Sequence, residues 1–279
     1  MHRRLPPSVV VITGGSRGIG LEAARRFAAD GHAVGLIARD RGDVEDAAAS
    51  IGERAVAAAA DVADAAALGK AIDGIAGELG PPDVLVNNAG IGAWGAVAET
   101  GIDVFRRTID VNYLGAVHAT AAVLPGMLER HRGRIVNVGS IAGRIGAPFE
   151  AAYSASKFAL AGYTESLAVE LHGTGVSVAL VNPGPVDTEF FARRGRAYGN
   201  RRPRPVDPGA VARLIVRAAH GGAAERYLPR WLRFAHAAKV VVPIASSVGT
   251  RRMFAGERRE LRARISTNGT PKEHGKADE

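Results

Sequence analysis

Six short runs along this 279-residue chain are apolar nearly throughout, with a weaker seventh near residue 227: VVVIT (9–13), AVGLIA (33–38), RAVAAAAD (54–61), DVLVNNAG (83–90), RIVNVGS (134–140), VSVALVNPG (176–184) and ERYLP (225–229). A strand with one wet face alternates apolar and polar residues; a strand covered on both faces does not. Between these runs lie segments of helical periodicity or helix-forming composition at 19–30, 43–52, 64–79, 104–131, 152–172 and 207–219. The alternation predicts an α/β fold, a doubly wound, mostly parallel sheet of about seven strands. No internal repeat and no Pro/Gly/Ser linker divides it. One domain is expected over residues 1–230, with a C-terminal extension at 231–279 whose polar end, STNGTPKEHGKADE, reads as disordered. Asn268-Gly-Thr270 matches a glycosylation acceptor and gets little weight without a secretion signal.

Composition is 47% hydrophobic and 23% charged, which reads as globular. There is no cysteine, so disulfides and thiolate metal sites are out, and no metal site is expected. The first apolar run, Val9–Ile12, is too short for a signal-peptide core, and no stretch reaches membrane-spanning length. A cytoplasmic protein is expected. The formal charge of +8 is local: Arg193–Arg204 holds six arginines and no acid, and Arg251–Arg264 six arginines and two glutamates. No aromatic-interleaved stripe on a recognisable module accompanies them, so nucleic acid is not an expected partner.

TGGSRGIG follows the first strand and opens the first helix. Glycines suit a tight turn, a close approach to diphosphate and helix–strand packing, while the helix N-terminus offers free amides. The spacing Thr13-Gly14-x3-Gly18-x-Gly20 resembles that of the short-chain dehydrogenase/reductase family, whose fold is a Rossmann-type sheet. The resemblance covers roughly residues 8–229. It implies nicotinamide cofactor contacts at Gly14, Ser16, Arg17, Gly18, Ile19 and Gly20, at Asp61 and Val62 beside the adenine, and at Asn88, Ala89 and Gly90 of NNAG. Further contacts are implied at Pro183, Gly184, Val186 and Thr188 of NPGPVDT.

The second strand ends GLIARDRG. An acid at its end would accept from the ribose 2′-hydroxyl; here Ala38 stands there and Arg39 follows. Arg39 and Arg17 suit a 2′-phosphate, so NADP(H) is favoured over NAD(H). The plainer alternative has Arg39 paired with Asp40 or Asp43.

Ser140 ends the fifth strand, Tyr153 follows at a helix start, and Lys157 lies one turn on, on the same helix face. Reducing a carbonyl needs a proton donor for the developing alkoxide. An ammonium and a positive nicotinamide ring are expected to lower the tyrosine pKa. The family resemblance implies Tyr153 as general acid/base, Lys157 as its pKa modulator and ribose ligand, Ser140 as the group orienting the substrate carbonyl, and Asn112 as holder of a proton-relay water. Ser154 and Ser156 receive no task. The implied activity is hydride transfer between NADP(H) and a ketone or secondary alcohol, with lipid-like or apolar substrates included; a homodimer or homotetramer is the usual assembly. A non-catalytic NADP-binding sensor and a membrane-recruiting protein are the alternatives.

Residues 189–205, EFFARRGRAYGNRRPRP, read either as a lid over substrate, with Phe190, Phe191 and Tyr198 covering an apolar ligand and arginines attracting an anion, or as an exposed basic loop. The segment after Tyr227 mixes Trp231, Leu232, Phe234 and Val240–Val242 with Arg230, Arg233 and Lys239. Packing on the cleft or another subunit is preferred over an interfacial membrane segment, because Pro243 limits a continuous helix.

Overall fold

A computed structural model describes residues 7–198 and 203–268. Seven strands form one parallel sheet: β1 (Val9–Thr13), β2 (Ala33–Ala38), β3 (Ala55–Ala59), β4 (Val84–Asn87), β5 (Gly133–Val138), β6 (Val176–Pro183) and β7 (Glu225–Leu228), in the order β3-β2-β1-β4-β5-β6-β7. The order reverses direction between β1 and β4. The region beyond the C-terminal strand ends at such a point is the usual ligand position in sheets of this kind.

The helices between the strands are α1 (Gly18–Ala29), α2 (Arg41–Ala49), α3 (Ala65–Leu79), α4 (Ile102–Ile109), α5 (Gly115–Glu129), α6 (Ala151–Glu170), a short α7 (Phe190–Arg193) and α8 (Pro208–Ala219). They cover both faces of the sheet. Val10, Ile12, Val34 and Leu36 face one core with Phe27 of α1 and Ile215 of α8. Their neighbours Val11, Ile37, Leu85 and Ile135 face another with Ile72 of α3, Met127 of α5 and Leu167 of α6. Successive side chains point to opposite faces, so both must be apolar. The uninterrupted apolar runs therefore have a structural reason.

Register sets the site. Thr13 of β1 lies opposite Asn87 of β4, and Asn87 opposite Asn137 of β5. The turns after these strands emerge side by side. Asn87 Nδ2 donates to Asn137 Oδ1 (2.9 Å), and Asn137 Nδ2 to Thr164 Oγ1 of α6 (2.9 Å). This buried amide chain ties the strand ends to the helix that carries Tyr153.

Helices α4 and α5 run through a π turn, Asp110–Leu114, so Ile102–Glu129 is one continuous rod. By length and composition this rod is apolar enough to cross a membrane, which corrects the sequence expectation that no stretch reaches that length. Its apolarity has a local use: Ala119, Val123 and Met127 lie in the second core.

The chain divides into two compact units, Met1–His236 and Ala237–Glu279. After β7 come α9 (Leu232–Val241), α10 (Pro243–Met253) and α11 (Ala255–Asn268). Pro243 ends the run of α9 and sits at the first turn of α10, where its missing N–H costs nothing. The end of the polar tail expected to be disordered, and the Gly-Thr of the glycosylation match, lie outside the described residues.

His32, just before β2, is buried with its ring edge-on to Phe27 (5.7 Å) and near His220 (6.3 Å). Burial lowers its pKa, His220 adds to this, and Asp30 and Asp83 oppose it. A depressed histidine favours the neutral fold, so its contribution is complete above the unfolded value near 6.5 and is lost as pH falls through the folded value. Thermal denaturation should give a Tm that drops as pH is lowered below about 6.5, and His32→Leu should flatten that drop. An equal slope in both proteins would mean that His32 is not the group responsible.

Candidate active site

The glycine turn is held by side chains from the neighbouring strand. Thr13 Oγ1 accepts from the amides of Asn88 (3.1 Å) and Ala89 (3.2 Å). Asn88 Nδ2 donates to the carbonyls of Thr13 (3.1 Å) and Gly14 (3.0 Å). Gly14 has φ +65°, and a Cβ on Gly20 would lie 2.2 Å from the Gly14 carbonyl oxygen. Only glycine lets this loop close. Gly18 faces Thr188, and an added Cβ would be 3.4 Å from Thr188 Cγ2.

Helix α1 has no side-chain cap, whereas α2, α3 and α8 are capped by Asp40, Asp64 and Asp207. Capping relieves the unpaired first-turn amides of a helix. At α1 those amides stay open at a glycine turn, which fits a phosphate ligand. Arg17 is ion-paired with Asp43 and stands 3.8 Å from Glu189. Asp43 is therefore taken by Arg17, Asp40 caps α2, and Arg39 forms no ion pair among the described residues. Asp61 pairs with Arg107 (2.6 Å), a partner absent from the sequence reading. Burial raises the Asp61 pKa, but the Ala63 amide, Arg107 and the charge of Arg39 together hold it below the ordinary value. Val62 is buried against Gly115 at the head of α5.

Ser140 ends the turn after β5 and caps the following 3-10 turn, Ile141–Gly143, by accepting from Ala142 N (3.1 Å). Its side chain lies near enough to Tyr153, buried at the first turn of α6, to act on the tyrosine's titration. Lys157 follows one turn later, with Nζ donating to the Val138 carbonyl (2.9 Å) and lying 5.9 Å from the Tyr153 ring centroid. Three of the four residues expected to work together thus stand around the end of β5.

Within the chain itself, Lys157 is not among the causes that shift the tyrosine pKa; the nicotinamide ring is the other half of that expectation. Burial pushes Tyr153 up to about 12, against the opposing Ser140 hydroxyl, with Glu150 adding to the rise and Arg194 opposing it. Burial also pulls Lys157 down to about 8. The physical reason is desolvation: both charged forms lose water, and the ammonium is turned to a carbonyl rather than the phenol oxygen.

Asn112 sits in the π turn, buried, with Oδ1 accepting from Ile91 N (2.7 Å) and Nδ2 donating to Ile91 O (2.9 Å) and Ser156 Oγ (2.9 Å). Its amide is committed to the loop after β4 and to α6. Ser156, given no task from sequence, donates to the Tyr153 carbonyl (2.7 Å) and joins Asn112 to the tyrosine's helix. Ser154 Oγ likewise accepts from Ala147 N (3.0 Å). A buried mid-helix asparagine needs partners, and a serine three residues past Tyr153 was an available signal.

Val186 is buried and bridges to Val206, while Asp187 N donates to Val206 O (2.9 Å) and Val206 N to Pro185 O (2.9 Å). From there α7 folds over the tyrosine. The Phe190 ring is 5.4 Å from that of Tyr153, and a Cβ on Gly92 would meet Phe190 and Arg194 at about 3 Å. Arg194, its side chain 2% exposed, pairs with Glu150 (2.5 Å) and stacks near Trp94 (4.9 Å) and Phe191 (4.5 Å). Arg193 pairs with Glu189 (3.0 Å). The lid reading and the basic-loop reading therefore part here: Phe190 covers Tyr153, and both arginines of α7 and its cap already have carboxylates. Gly199, Arg201 and Arg202 lie outside the described residues.

The profile of the short chain dehydrogenase family matches residues 8–199. The chain belongs to that family. It is 37% identical over 203 residues to dehydrogenase/reductase SDR family member 7B of Rattus norvegicus, covering 70% of this chain and 62% of that protein. The match thus spans less than two thirds of the rat relative. It is 41% identical over 213 residues to the inactive 2-(S)-hydroxypropyl-CoM dehydrogenase 2 of Xanthobacter autotrophicus, covering 70% and 93%. Among solved structures, a 3-oxoacyl-[acyl-carrier protein] reductase with bound NAD from Brucella melitensis superposes with a TM-score of 0.71 at 32% identity, covering 79% of this chain and 88% of that one. The family acts on small molecules with nicotinamide cofactors, and its members share this short-chain dehydrogenase's parallel sheet.

Proposed function

We propose that this short-chain dehydrogenase is an NADP(H)-dependent oxidoreductase acting on a ketone or secondary alcohol with an apolar body. The observation that carries the reading is the buried Tyr153 beside Ser140 and Lys157, at the strand edge that also holds the open glycine turn. The cofactor, when bound, supplies the hydride and a positively charged ring in its oxidised form.

The chain's own residues divide the remaining work. The Gly14–Gly20 turn and the α1 amides hold the diphosphate. Arg39, with Arg17 released from Asp43, holds the adenosine 2′-phosphate. Lys157 binds the ribose, and Val186 and Thr188 orient the carboxamide. Ser140 donates to the substrate oxygen and keeps it near Tyr153. At neutral pH Tyr153 keeps its proton, the form needed to protonate the oxygen of a carbonyl being reduced. Asn112 braces the loop after β4 against α6, and the π turn around it leaves irregular backbone to hold a relay water. Phe190, Phe191 and Trp94 favour an apolar substrate body.

Kinship with a relative named inactive favours a second reading, a non-catalytic NADP-binding sensor. The intact Ser140–Tyr153–Lys157 set weighs against it, since a sensor has no use for a buried proton donor. Turnover of a ketone and alcohol panel separates the two.

The cofactor assignment has its own test. The wild type should use NADPH more efficiently than NADH, and Arg39→Ala should lower kcat/KM for NADPH by about ten- to a hundredfold, the size of one or two charge-assisted hydrogen bonds. Its efficiency with NADH should barely move. A wild type that prefers NADH would refute the assignment.

A further inference from the structure

We propose that the outward face of α9 is a docking surface for an anionic lipid bilayer. The helix is amphipathic in an inverted sense. Leu232 is buried, and an added Cβ on Gly184 would lie 3.1 Å from its Cδ1, so this side of the helix rests on the NPGPVDT turn. Trp231, Phe234, Ala238 and Val241 recur at intervals of three, four and three residues, which places them along one stripe. That stripe points away from Leu232: Trp231 is 51% exposed, Phe234 60% and Val241 77%. Val242 continues it, also half exposed.

Charge chooses the occupant. Arg230 and Arg233 flank the aromatic end, with the Arg233 guanidinium 4.5 Å from the Phe234 ring centroid. Between Glu225 and His236 the sequence carries Arg226, Arg230 and Arg233 and not one acid. A second copy meeting this face symmetrically would bring the same cations against themselves. Nucleic acid would satisfy the cations but has no use for an exposed Trp–Phe–Val stripe. An anionic bilayer takes both: the rings and valines enter the headgroup boundary while the basic side chains reach the phosphates. The stripe's buried reverse touches the loop bordering the proposed cofactor site, so an apolar substrate dissolved in the bilayer would reach the enzyme near its catalytic end.

Vesicle binding is read without turnover, so this inference does not stand or fall with the carbonyl chemistry. The full chain should float with phosphatidylcholine vesicles containing phosphatidylglycerol and much less with phosphatidylcholine alone. High salt should release it. Lipids with brominated acyl chains should quench its tryptophan fluorescence. Trp231→Ser with Phe234→Ser should lower the vesicle-bound fraction about tenfold or more, at unchanged Tm because both side chains are exposed. Arg230→Glu with Arg233→Glu should abolish the preference for phosphatidylglycerol. No flotation with either vesicle would overturn the proposal. So would flotation indifferent to both double variants, or a wild type whose oligomeric state in sedimentation, rather than its vesicle binding, changes with the Ser variants.

Discussion

Tyr153→Phe should lower kcat for carbonyl reduction by about 10²–10⁴-fold, the usual worth of a positioned proton donor. Cofactor affinity and Tm should stay close to wild type. The ring remains, so its contact with Phe190 survives. What goes is the hydroxyl beside Ser140. Its loss leaves Ser140 with the bond from the Ala142 amide, so the turn after β5 keeps its cap. Single-turnover rates with NADPH and the best ketone of a panel give the measurement. A variant with full activity would remove Tyr153 from the chemistry and leave the fold without an evident proton donor.

The second large effect concerns Glu150. Glu150→Ala leaves the Arg194 guanidinium buried between Trp94 and Phe191 without its carboxylate. If α7 stayed in place, the cost would be about 3–5 kcal/mol. A short surface segment has a cheaper escape, which is to leave its seat and hydrate the arginine. The expected result is faster tryptic cleavage at Arg193, Arg194 or Arg196, a changed KM, and a modest loss of Tm. Charge reversal of the pair, Glu150→Arg with Arg194→Glu, should restore protease resistance. A Tm loss as large as that of a core deletion, with cleavage unchanged, would show that the pair braces the body rather than the lid.

The parallel sheet and its helices were legible because burial on both faces demands uninterrupted apolar runs, and six such runs are visible, with a weaker seventh at the edge. Thr13–Gly20 and the Ser140, Tyr153 and Lys157 positions were legible through spacing that few other folds need. Three things were not. The upward push on Tyr153 arises from burial, which no local pattern reports. The π turn at Asp110–Leu114 is one backbone carbonyl out of step, and its residues read as ordinary helix. The Glu150–Arg194 pair joins residues distant in sequence, and only the lid's fold brings them together. Sequence named the candidates for the chemistry; their neighbours came from tertiary contact.

The bridge between Val186 and Val206 has one more consequence. It brings both ends of residues 187–205 to a single point on the body. Whatever lies between those anchors closes the same loop, and doubling its length adds only about 0.6 kcal/mol of closure entropy. The segment is thus a replaceable cartridge. Inserts of different length and chemistry, grafted between Thr188 and Pro205 so that Thr188 keeps its place beside Gly18, should alter which molecules are accepted while the sheet, the glycine turn and the tyrosine helix stay as they are. On the proposed reading, substrate range is separable, by construction, from the residues assigned to hydride and proton transfer.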